Sequence, residues 1–152
     1  MALNMITCPC HSTELDICTP VLMRFICHCT ICQQIYKTPY ADVSVVFKKD
    51  IAKHAQANLE FKKYRRPPAL ERGFCISCFN PVFSYLKTYT SYDLAFIPSK
   101  NFKDQTALPK PILHMFYNRK VSQMNDQLPK YRGYVASQFG FTKHLLSKLL
   151  SI

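Results

Sequence analysis

The sequence predicts an all-β domain, and three observations carry that expectation. Six short segments rich in β-branched and aromatic residues recur along the chain. Prolines such as Pro39, Pro81, Pro98, Pro109 and Pro129 interrupt them at spacings suited to turns and strand ends. Helical spacing of apolar residues is sustained only near the C-terminus.

Residues 22–27, 42–47 and 59–64 are short and partly alternating, as half-buried strands are, and residues 82–86, 92–97 and 112–117 repeat the style. Residues 30–36 have room for one or two helical turns with Thr30 as cap, next to a cysteine cluster. From 141 onward, Phe141, Leu145, Leu146, Leu149, Leu150 and Ile152 fall largely on one face, which predicts a short amphipathic helix. About a dozen residues are marginal as an isolated helix, so this one is expected to dock on the domain or on a second copy, as in a homo-oligomer. No repeat or low-complexity segment appears, so residues 1–133 are expected to form one domain and 134–152 a helical extension.

Lys and Arg outnumber Asp and Glu by 20 to 9, a formal charge of +11. A basic surface favours an anionic partner: nucleic acid, an acidic protein face or a small anionic substrate. Basic runs at 62–66 and 110–132 interleave with Tyr117 and Tyr131, which is compatible with nucleic-acid binding, although no known nucleic-acid module matches. No apolar run approaches the ~20 residues of a membrane span. The start lacks the charged segment and long apolar core of a secretory signal, so a cytoplasmic setting with reduced thiols is expected.

Seven of the eight cysteines fall in three clusters: Cys8 and Cys10; Cys27, Cys29 and Cys32; Cys75 and Cys78. Thiolates one or two residues apart converge readily on a metal ion, and zinc, which takes sulphur at about 2.3 Å, usually wants four groups. Seven ligands cannot close two such sites, so with two zinc ions one keeps a vacant position. Spacing leaves the pairing open. Cys29 and Cys32 with Cys75 and Cys78 would make a zinc ribbon; alternatively, Cys8 and Cys10 join Cys75 and Cys78, leaving a three-thiolate site. Metal binding would lower the net charge by about three units.

The string Cys27-His28-Cys29-Thr30-Ile31-Cys32-Gln33, followed by Arg72-Gly73-Phe74-Cys75-Ile76-Ser77-Cys78, His114 and Asp126-Gln127-Leu128-Pro129, resembles the glutathione-dependent formaldehyde-activating enzymes from about Cys8 to Tyr131. The resemblance implies a β-tent of small antiparallel sheets, with a structural zinc on Cys8, Cys10, Cys75 and Cys78. It also implies an open, catalytic zinc on Cys27, Cys29 and Cys32, where glutathione adds to formaldehyde in a carbon–sulphur lyase reaction. Such an ion makes thiolate available at neutral pH, and three thiolates already on it favour thiol capture over carbonyl activation. His11 and Phe79 stand where the family usually has glycine, so the turns there are expected to differ, because either residue adopts positive φ only at a cost. A metal-stabilised basic module that binds nucleic acid or a protein partner without catalysis is the alternative.

Cys18 lies outside the clusters and reads as a small buried hydrophobe. His28, between two ligand positions, is expected to point away from the metal, since neighbours in an extended segment face opposite sides. His114 sits in an apolar run and reads either as a satisfied core histidine or as a group near the second zinc. Arg65, Arg66 and Arg72 precede Cys75 and are candidates for glutathione's carboxylates; for Arg65 and Arg66 a solvated face is the stronger reading.

Overall fold

The computed structural model describes residues 3–53 and 58–152. Its elements run β1 (Asn4–Thr7), β2 (Glu14–Ile17), β3 (Met23–Cys27), α1 (Thr30–Tyr36), β4 (Ala41–Phe47), β5 (Ile51–Lys53), β6 (Leu59–Lys62), β7 (Glu71–Cys75), β8 (Pro81–Tyr85), β9 (Leu94–Pro98), β10 (His114–Met115) and α2 (Gly133–Leu150). The three strands β1-β2-β5 form a small antiparallel sheet. The other seven make a sheet in the order β10-β3-β4-β9-β8-β7-β6, antiparallel except where β10 joins β3. Residues 112–117 supply only two paired residues, His114 beside Ile26 and Met115 beside Cys27, because the chain there serves a loop on its other side.

Burial explains the strand choice. β3 and β4 lie mid-sheet with nearly every residue covered, so they read as apolar runs, whereas β6 at the edge alternates between covered and exposed. The core divides in two. One half gathers Ile6, Leu15, Ile17, Val46 and Phe83 and contains Cys8 and Cys75; the other gathers Met23, Phe25, Val45 and Phe141 and contains Cys27 and Cys32. Each half thus anchors a different cysteine group.

Gly73 is required by space. A Cβ there would meet the Phe61 ring at 2.8 Å and the Phe83 carbonyl oxygen at 2.9 Å, at the register shift where β7 bends before Cys75.

α2 begins at Gly133, eight residues before the expected start. Its inner face is made by small residues that no apolar stripe reveals: buried Ser137 accepts the Phe116 amide at 2.8 Å, and a Cβ on Gly140 would collide with the Tyr131 ring. Phe141 completes the docking, edge-on to Phe25 at 5.5 Å. Of the expected stripe, Phe141 is buried and Leu145 half-buried, while Leu146, Leu150 and Ile152 face outward. Among the described residues no helix is long and apolar enough to cross a membrane.

Candidate metal centres and the cavity beside them

Cys8 directly follows β1 and Cys10 sits in the turn to β2; Cys75 ends β7 and Cys78 sits in the turn to β8. Folding brings their sulphurs within 4.8 Å of one another. Cys8 Sγ lies 3.4 Å from Cys10 Sγ, and Cys10 Sγ lies 3.7 Å from Cys75 Sγ. Sulphurs set tetrahedrally around zinc at about 2.3 Å stand about 3.8 Å apart, so four thiolates in this arrangement fit the ion. The turns close by hydrogen bonds from the His11 amide to the Cys8 carbonyl, 3.0 Å, and from the Phe79 amide to the Cys75 carbonyl, 2.8 Å.

His11 and Phe79 each adopt φ of 59°, the left-handed region. The turns therefore keep the conformation that glycine favours and carry the strain of a side chain in it, contrary to the expectation that they would differ.

One contributor carries no sequence signal. The Ser12 hydroxyl lies 3.1 Å from both Cys10 Sγ and Cys75 Sγ. Burial pushes the Cys75 thiol up, but donation from Ser12 and Thr13 hydroxyls and from the amides of Ser77 and Cys78 outweighs it and brings the thiol down to about 5. Donors aimed at sulphur favour the thiolate that a metal needs.

Cys27, Cys29 and Cys32 form the second group, again with sulphurs within 4.8 Å of one another. Cys27 ends β3, and the sulphur of Cys29, not the Thr30 hydroxyl, caps α1 by accepting the Cys32 amide at 3.3 Å. Thr30 is the first helical residue, because the chain is still extended at Cys29, with φ −64° and ψ 150°. Hydrogen bonds from Cys27 and Cys32, with help from the Arg72 guanidinium, pull the Cys29 thiol down to about 3. Three sulphurs leave one position of a tetrahedral ion without a protein ligand.

Cys27, Cys29, Cys32 and Arg72 all line a cavity of about 670 Å³. Arg65 also reaches it, with its guanidinium over the Tyr134 ring at 5.3 Å and donating to the Pro68 carbonyl. Arg66 is exposed and does not line it. Arg119 lines it too, although its sequence context carries no such signal. Gln33 fixes this corner by donating to the carbonyls of His28, 2.7 Å, and Arg119, 2.8 Å.

His28 turns away from the sulphurs, as alternation predicts, and lies 2.8 Å from the Nδ1 of His114 through its Nε2. His114 Nε2 lies 2.8 Å from the Asp126 carboxylate, which also takes Lys130 Nζ at 2.7 Å. His114 is thus a fully buried histidine with both ring nitrogens engaged, and neither ring joins a cysteine group. A carboxylate only accepts, so His114 Nε2–H donates outward, His28 Nε2–H donates to His114, and His28 Nδ1 is left as a bare acceptor with no partner among the described residues. Burial, then the neighbouring His114, pushes the His28 ring down to about 4. Cys18 departs from expectation in another way: it is exposed, since the chain leaves the core just after Ile17.

Residues 4–119 match the family profile described as glutathione-dependent formaldehyde-activating enzyme. Among curated proteins no sequence matches significantly. A Rhodobacter sphaeroides protein solved by structural genomics superposes with a TM-score of 0.50 at 15% identity, covering 65% of this chain and 87% of that one. At that identity the likeness is one of fold.

Proposed function

The chain belongs to the glutathione-dependent formaldehyde-activating enzyme family, and from that premise we propose that it is a zinc-dependent carbon–sulphur lyase that adds formaldehyde to a small thiol, as an S-(hydroxymethyl)glutathione synthase does. Its sheets then constitute a β-tent stabilised by a structural zinc on Cys8, Cys10, Cys75 and Cys78, and Cys27, Cys29 and Cys32 hold the second, open ion. One observation carries the reading: the cysteine group that lacks a fourth ligand among the described residues is the group that faces the cavity.

An ion on the trio would supply thiolate at neutral pH by lowering the pKa of an incoming thiol. The residues do the rest. Arg72, with no ion-pair partner among the described residues, attracts the substrate's carboxylate toward the trio. Apolar walls from Phe25, Phe96 and Phe141 keep water from the reacting atoms. In the reaction the thiol sulphur bonds to the carbonyl carbon, the C=O π pair moves to oxygen, and the proton lost by the thiol ends on that oxygen. The product is an S-hydroxymethyl thiol, and the reverse reaction breaks the same bond.

Metal analysis and exchange spectroscopy test the proposal together. Two zinc ions per chain, and interconversion of glutathione, formaldehyde and their adduct faster with the protein than without, are expected. A single zinc insensitive to any change in the trio, or no acceleration together with tight, salt-sensitive binding to duplex DNA, would leave a metal-stabilised binding module instead.

A further inference from the structure

The cavity beside the trio has more wall than the matched family segment provides. That segment ends at residue 119, yet α2 contributes Tyr134, Phe141 and Leu145 to the lining, facing Phe25 and Phe96 on the sheet. Phe141 packs against both sheet phenylalanines, at 5.5 and 5.8 Å between ring centroids, so the helix wall is continuous with the core. The loop before β7 is drawn toward the same helix by Arg65 over Tyr134.

The charges in this cavity are one-sided. Arg65, Arg72 and Arg119 line it against a single carboxylate, Asp93. Asp93 accepts the Thr88 amide at 3.0 Å and the Thr88 hydroxyl, both at Oδ1. Arg65 is held by the Pro68 carbonyl. Arg72 and Arg119 have no ion pair among the described residues, so two guanidinium groups remain for an anion beside an aromatic and aliphatic wall.

Glutathione fits that combination poorly. It has no apolar side chain to cover Tyr134, Phe141 and Leu145, and Asp93 is the one lining carboxylate that could meet its ammonium group. We infer that the cavity takes a ligand with a carboxylate and an aromatic or branched aliphatic body. In the reaction proposed above, on which this step rests, the ligand is a thiol of that description, with the same bond formed to formaldehyde and the same proton passing from sulphur to oxygen.

Calorimetry on the zinc-loaded full chain tests this with three probes: 2-sulfanyl-3-phenylpropanoate, its sulphur-free counterpart 3-phenylpropanoate, and glutathione. The aromatic thiol is expected to bind about tenfold or more tighter than glutathione, since it alone desolvates an apolar ring against this wall. Tyr134→Ala, at a half-exposed position, and Leu145→Ala should each weaken both phenyl probes severalfold and leave glutathione unchanged. Arg72→Met should weaken all three. Glutathione binding as tightly as the aromatic thiol would overturn the inference, and so would phenyl probes indifferent to both α2 substitutions. Failure of the lyase reading looks different. Phenyl probes that bind with the expected sensitivity, while neither thiol exchanges formaldehyde faster than it does spontaneously, support the ligand chemistry and remove the reaction.

Discussion

The two cysteine groups set similar thiols in opposite surroundings. The four-cysteine group joins the small sheet to the large one, and its sulphur contact from Cys10 to Cys75 spans 65 residues of chain. The trio is complete within six residues, at the end of one strand and the start of one helix. Closing a long loop is costly in entropy, so an ion that does it contributes to folding; an ion on a local turn contributes little there and is free to serve chemistry. The surroundings agree. Ser12 sits among the sulphurs of the first group, whereas the second opens on a cavity.

The largest effect should come from breaking the long connection. A structural zinc is worth about 10–16 kcal/mol and a domain's whole stability about 5–15 kcal/mol, so Cys75→Ser is expected to abolish the cooperative thermal transition and most soluble yield. A variant as stable as wild type would erase the distinction between the groups. Next in size, Cys29→Ser should remove one zinc per chain and the exchange activity while the melting temperature moves by no more than a few degrees. Serine is itself a good helix cap, so this change separates the metal role of Cys29 from its capping of α1, whereas Cys29→Ala should cost about 1 kcal/mol more. Elemental analysis and a melting curve on the same samples check both.

Smaller effects sharpen the comparison. Phe79 holds φ of 59° with its side chain largely exposed, so Phe79→Gly should relieve strain and raise stability by about 1 kcal/mol, read as a higher denaturant midpoint with unchanged slope. The smallest effect concerns the polar chain behind the trio. Donation from Lys130, and then from His114, pulls the Asp126 carboxyl down to about 2, so its contribution is present above the unfolded value near ~3.9 and lost as pH falls toward 2. The stability difference between wild type and Asp126→Asn should therefore be full near neutrality and shrink as pH falls below about 4. A difference that does not change over that range would place the role of Asp126 elsewhere.

What the sequence made legible follows from how much each feature repeats. Clustered cysteines and covered strands such as β3 and β4 announce themselves, because several residues say the same thing. The strands β1, β2, β5 and β7 are short, and only pairing with a neighbour makes them strands. The bond from His28 to His114 spans 86 residues, and the contact from Ser12 to Cys75 spans 63, so neither leaves a local pattern. α2 was legible only where leucines carry it; its first two turns hold Gly133, at φ 78°, and Ser137 and Gly140 on the docked face, all poorer helix formers than leucine. The alternation that aimed His28 away from the trio succeeded because it depends on backbone geometry alone.

The chain order of the ligands has a consequence during synthesis. The trio is complete once residue 32 has been added, whereas Cys8 and Cys10 must wait for Cys75 and Cys78. At about 5–20 residues per second that wait lasts roughly 3–13 s. In the proposed assignment, the open site would thus be the first able to take a metal, and the structural site the last. Nascent chains arrested after residue 32 but before Cys75 should then show alkylation at Cys8 and Cys10 and zinc-dependent protection at Cys27, Cys29 and Cys32; protection of the first pair at that stage would refute this order.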